Sequence, residues 1–203
     1  MLITKLERQK RGRNRWSVHL DGEFAFSLNE VDLLYYKLRE GVEISRERFE
    51  YIRDQVVLTQ AGQKALDYLA RRPRTVKEVE QKLSDDYAPD IIARVMDMLY
   101  EYKYIDDASY AAQYVKERVS AGYGPYKIEW ELRGRGVGQE LIDAALEQAA
   151  GPQIRIAAAA LRARYKNKPV LDEKEKSRAF SFLLRRGFDA DTAYEALRGD
   201  ELL

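Results

Sequence analysis

Two runs of this 203-residue sequence concentrate enough positive charge to meet an anion. In the first, Lys5, Arg8, Lys10, Arg11, Arg13 and Arg15 stand against Glu7 alone, around a loop that carries Gly12. A β-ribbon with a basic tip can enter or straddle a nucleic-acid groove; the competing role is charge that protects a sheet edge from aggregation. The second run holds Arg155, Arg162, Arg164, Lys166 and Lys168 with no acidic residue among them. Its last four fall at a helix end and into a loop, where the helix dipole alone favours cations. Contact with phosphate or an acidic protein surface therefore competes with a solvated helix end. Smaller sets recur at helix corners: Arg71, Arg72 and Arg74 around Pro73, Arg133 with Arg135, and Arg185 with Arg186. A row of cations along an array can follow a polyanion or a repetitive filament, because weak contacts reinforce one another through effective concentration. For any single corner, capping of a short helix by Arg explains the residue as well.

Catalytic and metal chemistry find little support. Asp106-Asp107 is a carboxylate pair, but Asp107 precedes a helix from Ala108, where it would accept an orphan amide proton. His19, the sole histidine, lies in a predicted strand between Val18 and Leu20. Gly134-x-Gly136-x-Gly138 has no strand before it, as a nucleotide loop would need, and fits a helix end followed by a helix start. With no zinc spacing, Gly-rich phosphate loop or Ser-His-Asp set, the expectation is a non-enzyme without metal or cofactor. Tyr100, Tyr102 and Tyr104, then Tyr123, Tyr126 and Trp130, could stack on unpaired bases. Core packing is the expected role, and Trp130 is grouped with Ile128 and Leu132.

Composition bounds the setting. Lys and Arg number 35 against 34 Asp and Glu, a net charge of +1, so bulk charge does not mark a nucleic-acid coat. The absence of Cys removes disulfides and thiolate chemistry and agrees with a reducing compartment. No apolar signal segment opens the chain, and no window approaches the roughly 18 apolar residues of a spanning helix. A cytoplasmic protein away from membranes is expected.

The elements that must position the cations are set by periodicity. Leu2 to Leu28 alternates with period two, predicting three short antiparallel strands, with Asp21-Gly22 as a type I′ hairpin turn. Ser27-Leu-Asn-Glu30 has capping-box spacing, which predicts a helix through Val31, Leu34, Tyr35 and Leu38 to Gly41; another helix starts near Ser45 with Phe49, Ile52 and Val56 on one face. This leading segment, residues 1–58, is small enough to need packing against the helices C-terminal to it.

Beyond residue 60 every apolar pattern is helical, and one unit recurs three times. A shift of 46 places Ala65 on Ala111 and Ala157, Leu69 on Val115 and Leu161, and Arg72 on Arg118 and Arg164. A shift of 51 places Leu132 on Leu183, Arg135 on Arg186, Gly136 on Gly187, Val137 on Phe188 and Leu146 on Leu197. In the first unit Thr75-Val-Lys-Glu78 is a capping box and Pro89 suits a first helical turn. The expected fold is mainly α: tandem three-helix repeats over residues 59–105, 106–151 and 152–203, in an elongated array behind the β-meander and its helices.

With ALDYLARRPRTVKEVEQKL in the first unit, YIDDASYAAQYVKERVSAGYGPYKIEWELRGRGV in the second and FLLRRGFDADTAYEAL closing the third, the chain resembles the bacterial regulatory protein RecX family over about residues 61–199. The leading segment is similar to an extension that some members carry. The resemblance implies an inhibitor and modulator of the RecA recombinase. Members bind RecA and its filaments on single-stranded DNA, lie in the filament groove, and suppress ATPase, strand-exchange and coprotease activities. It implies no catalytic site and carries no functional residue over to this chain. The rivals are a stand-alone DNA-binding module with helix-turn-helix-like units and, further off, a carboxylate-dependent nuclease around Asp106 and Asp107.

Overall fold

The computed structural model describes residues 1–9, 14–149, 151–165 and 172–198. The chain divides between Ile105 and Asp106 into two compact units.

The first unit opens with an antiparallel sheet of β1 (Ile3–Arg8), β2 (Arg15–Leu20) and β3 (Glu23–Asn29), in that order. Asp21 and Gly22 take φ of 50° and 94°, the left-handed pair that a type I′ turn requires. The resulting register sets Val18 opposite Phe26, both buried. Helix α1 (Glu30–Tyr35) departs from the expectation at both ends. Its cap is Asn29, whose side chain accepts from the Asp32 amide at 2.7 Å, while Ser27 is buried inside β3. It stops at Tyr35 because Lys37 turns left-handed, with φ of 51°, and thereby delivers Leu38 to the core. Val31, Leu34 and Tyr35 face outward.

The next helical stretch is continuous but changes winding: α2 (Arg46–Tyr51), a π-helical turn (Ile52–Val57) and α3 (Leu58–Leu69). The π turn explains why Ile52 and Val57 are both buried although five residues apart. The wider winding brings i and i+5 to one face, after which Ala61 and Ala65 continue the stripe at α-helical spacing. With α4 (Val76–Ser84) and α5 (Pro89–Glu101), α3 forms the first three-helix repeat. The Thr75–Glu78 capping box is present in both directions, and Pro89 opens α5. One core runs without interruption from Ile3 through Phe26 and Ala65 to Ile105.

In the second unit α6 (Asp107–Ser120), α7 (Pro125–Gly134) and α8 (Gln139–Gln148) form one repeat. The third comprises α9 (Gln153–Arg164), α10 (Glu173–Arg185) and α11 (Ala190–Arg198). Overlaid residues occupy the same environments. Ala65, Ala111 and Ala157 are each wholly buried, as are Leu132 and Leu183. Gly136 and Gly187 take φ of 84° and 91°, so Val137 and Phe188 can each donate back to the carbonyl five residues earlier, at 3.2 Å, and drop into the core. The cap of α6 is Asp106, not Asp107: its carboxylate accepts from the amides of Ala108 and Ser109 at 2.9 and 3.0 Å. Those bonds hold Asp106 below its ordinary pKa, the Ser109 amide contributing most.

Trp130 is 67% exposed and does not join the core. Ile128 and Leu132, four apart, share the inward face of α7, whereas a residue two positions from each lies about 200° around the helix. Tyr100, Tyr102, Tyr104 and Tyr126 are exposed as well.

A close joint links the two repeats of the second unit. Gly124, the cap of α7, donates to the Arg186 carbonyl at 2.8 Å, and Tyr126 donates to the Gly187 carbonyl at 3.1 Å. A methyl group on Gly124 would lie 2.3 Å from the Gly187 oxygen. The Arg186 guanidinium crosses the same joint to donate to the Ala121 carbonyl at 2.6 Å.

Candidate partner interface

The structure sorts the corner cations into two groups. One is clamped inside the fold. Arg15 reaches across from β2, donating to Gln60 Oε1 at 3.3 Å and the Ser27 carbonyl at 3.2 Å, 3.8 Å from Asp86 and over the Tyr87 ring. Arg74 lies 3.9 Å from the Tyr68 ring centre and 3.6 Å from Glu78. Arg135 stacks over Tyr114 at 5.0 Å, and Arg186 over Tyr123 at 4.3 Å and Phe182 at 5.0 Å. Tyr68 and Tyr114 are equivalent under the 46-residue shift, so the first two repeats share an aromatic on the first helix that receives an Arg, whereas the third has Ala160 there and seats Arg186 on Tyr123 and Phe182.

Arg118, equivalent to Arg72 and Arg164, anchors the middle of its repeat. It grips Glu131 with two bonds, Nε to Oε2 at 2.8 Å and Nη2 to Oε1 at 2.5 Å, and Tyr114 Oη donates to the same carboxylate at 2.7 Å. Burial pushes the Glu131 carboxyl up, but the bonds from Tyr114 and Arg118 outweigh it and hold the group below its ordinary value. Burial together with the bond to Glu131 raises the Tyr114 phenol.

The second group faces solvent: Arg8, Arg71, Arg72, Arg133, Arg162, Arg164 and Arg185. Several are steadied by neighbours. Arg8 bonds Asn14 at 3.3 Å, Arg72 bonds Glu78 at 3.1 Å, and Arg133 holds Glu129 at 2.7 Å and Gln139 at 2.7 Å. Lys10, Arg11, Arg13, Lys166 and Lys168 lie outside the described residues.

Two surface depressions gather cations that the sequence places apart. In the second unit Arg164, at the end of α9, meets Arg185, at the end of α10, in a shallow hollow that Arg178, Ser177, Ser181 and Glu175 also line. Arg178 closes a mixed-charge stretch, residues 172–178, with three acidic and three basic side chains and so no net basic signal; its position seven residues before Arg185, two helical turns along one face, is the available signal. In the first unit Arg71 and Arg15 share a cleft with Lys64 and Lys82, two more cations outside any basic run. Lys64 pairs with Asp86 there. Arg155 and Arg162 border an open cleft between α9 and the Val119–Gly122 end of α6. Chemically these hollows offer guanidinium and hydroxyl donors to an anionic or acidic surface. Among the described residues no three His, Cys, Asp or Glu side chains gather in a metal-binding group, and no helix is long and apolar enough to cross a membrane.

Comparison with known proteins matches this architecture piece by piece. Four family models align in order: the RecX N-terminal domain over residues 1–45, and the first, second and third RecX three-helix domains over 61–99, 106–146 and 153–197. The N-terminal match shows that the sheet belongs to the family pattern as fully as the repeats do. "Regulatory protein RecX" of Levilactobacillus brevis is 37% identical over 202 residues, 97% of this chain and 75% of that protein. Its counterpart in Bacillus subtilis is 33% identical over 199 residues, 96% of this chain and 75% of that protein. A crystal structure of regulatory protein RecX superposes with a TM-score of 0.61 at 30% identity, covering 95% of this chain and 97% of the other. With sheet, repeats and order all accounted for, the chain belongs to the RecX family of regulatory proteins.

Proposed function

We propose that this protein regulates the RecA recombinase in the cytoplasm, binding RecA and its filament on single-stranded DNA and restraining ATPase, strand exchange and coprotease activity. The observation that carries the reading is the ordered match of all four RecX segments across the chain. The physical layout supports it. Three repeats of one design present solvent-facing arginines at related corners, which suits a partner that is itself repetitive. Near-neutral charge suits a protein groove, where both signs are needed, better than a bare polyanion. Arg8, Arg71, Arg72, Arg133, Arg162, Arg164 and Arg185 are the contacts of choice, and Lys10, Arg11, Arg13, Lys166 and Lys168 join them on charge alone. Arg15, Arg74, Arg135 and Arg186 serve chiefly to hold the framework. The test is RecA's DNA-dependent ATPase and strand exchange with stoichiometric protein; unchanged rates reject the proposal.

The hollow of Arg164, Arg178 and Arg185 with Ser177 and Ser181 favours one alternative, a module that binds DNA without RecA. That reading requires a steep salt dependence, about 0.7 to 0.9 in log–log slope per neutralised phosphate. Shallow, weak binding eliminates it.

A further inference from the structure

The outward face of α7 carries a feature that the repeat architecture does not require. Tyr126 and Trp130, one turn apart, are 62% and 67% exposed, and Lys127 holds its ammonium 4.2 Å from the Trp130 ring centre. The three repeats supply an internal control. Leu83, Leu132 and Leu183 are wholly buried at the same point of each second helix, as is the residue four before each: Val79, Ile128 and Ala179. Counting back from these anchors, Tyr126 corresponds to Lys77 and Ser177, and Trp130 to Gln81 and Ser181. The fold is satisfied by polar side chains at both positions in two repeats out of three. The aromatic pair in the middle repeat therefore answers to something outside the fold.

Electrostatics choose between the two classes of partner that take aromatics. A platform for unpaired bases pairs its rings with cations that track the phosphates. On α7 each cation is already set against a carboxylate: Lys127 lies 3.9 Å from Glu131 and Arg133 lies 2.7 Å from Glu129. The face thus combines two large rings with cations that stand beside carboxylates, Lys127 sharing Glu131 with Arg118, instead of lying open to phosphate. That composition, Trp and Tyr at the centre with Arg at the rim, is that of a protein–protein hot spot.

We propose that Tyr126 and Trp130 form the central anchor for a folded protein partner, an apolar socket rimmed by mixed charge. Resting on the proposed regulation of RecA, we assign that socket to a RecA protomer of the filament. The middle repeat then provides affinity, while the exposed arginines of the other repeats provide reach and register.

The test replaces both aromatics by the residues of the third repeat, Tyr126→Ser with Trp130→Ser, in the full chain. Binding of a fluorescently labelled chain is titrated against RecA filament on single-stranded DNA, and against the same oligonucleotide without RecA. The expected result is an unchanged melting temperature, an affinity for filament reduced about thirtyfold or more, and unchanged binding to the oligonucleotide. Equal filament affinity of variant and parent overturns this inference but leaves RecA regulation standing. A loss confined to the bare oligonucleotide overturns it in favour of a base-stacking platform. Failure of the parent itself to bind filament rejects both readings.

Discussion

Replacing Gly124 by Ala should destabilise the joint between the second and third repeats, against the usual sign of that substitution. Gly124 has φ of −87° and ψ of 167°, extended backbone open to any residue, so Ala meets no conformational strain. In open space such a change stabilises by about 0.4–1 kcal/mol through the unfolded chain. Here the new methyl would lie 2.3 Å from the Gly187 oxygen, 2.5 Å from its carbonyl carbon and 2.6 Å from the Phe188 nitrogen. All are backbone atoms that cannot swing aside, so the segments must part by about 1 Å to restore van der Waals contact. Such a shift carries the 2.8 Å bond from Gly124 to Arg186 and the 3.1 Å bond from Tyr126 to Gly187 beyond hydrogen-bonding range. Two backbone bonds at about 1 kcal/mol each, with part of the charged bond from Arg186 to Ala121, give a cost of about 2–4 kcal/mol.

Gly138→Ala is the matched control. Gly138 caps α8 as Gly124 caps α7, so both variants lose the same capping preference, yet no atom lies within 4 Å of a methyl there. Thermal unfolding and amide exchange at Gly124 and Tyr126 provide the readouts. The Gly124 variant should melt about 10 °C or more below the control, with both amides deprotected. Equal melting temperatures and equal protection would refute the argument from the joint.

Other substitutions probe the remaining framework. Glu131→Gln leaves Arg118 without its charged partner and should cost about 1–3 kcal/mol in chemical denaturation, with Leu132→Ala larger at about 2–5 kcal/mol. Arg15→Ala removes the bonds from β2 to Gln60 and Ser27, and should loosen the sheet against the first repeat, seen as faster amide exchange in β2 and β3. The carboxyls of Asp106, Glu131 and Asp189 are depressed in the folded state, Asp189 chiefly by the Thr192 amide. Their contribution is therefore complete above the unfolded values of about 4 and is lost as pH falls through the folded ones. Stability of the second unit should decline in that acid range, and Asp106→Asn should flatten the decline; an unaltered pH profile in that variant contradicts the assignment. Arg164→Gln with Arg185→Gln should weaken filament binding, measured by titration, with only a small fall in melting temperature from the lost helix-end charges and the Arg164 contact with the Phe182 ring at 4.6 Å.

Local rules account for what is legible in the chain. The type I′ turn at Asp21-Gly22, the Thr75–Glu78 box, Pro89 and the left-handed Gly136 and Gly187 each depend on backbone preferences set within a few residues. The three-helix unit is visible because a recurring core leaves a recurring sequence, from Ala65 to Ala111 to Ala157. What local rules cannot supply is direction. Proximity in sequence groups Trp130 with Ile128 and Leu132, whereas a helix turns it to the far side. Ser27 has the right spacing for a cap, but pairing with Ser17 across the sheet claims it for β3. The division of the arginines is equally out of reach. Arg135 and Arg186 occupy the same corner as exposed cations would; the Tyr114 ring of α6 turns Arg135 inward, and Phe182, one turn back on its own helix, together with Tyr123 of the loop before α7 does so for Arg186. The sequence by itself determined the repeated unit, the Thr75 cap and the family to which the chain belongs, because those are written in local and periodic terms. Tertiary structure decided which cations meet solvent, which hold the fold, and that Arg164 of α9 joins Arg178 and Arg185 of α10, because each outcome depends on how one helix packs against another.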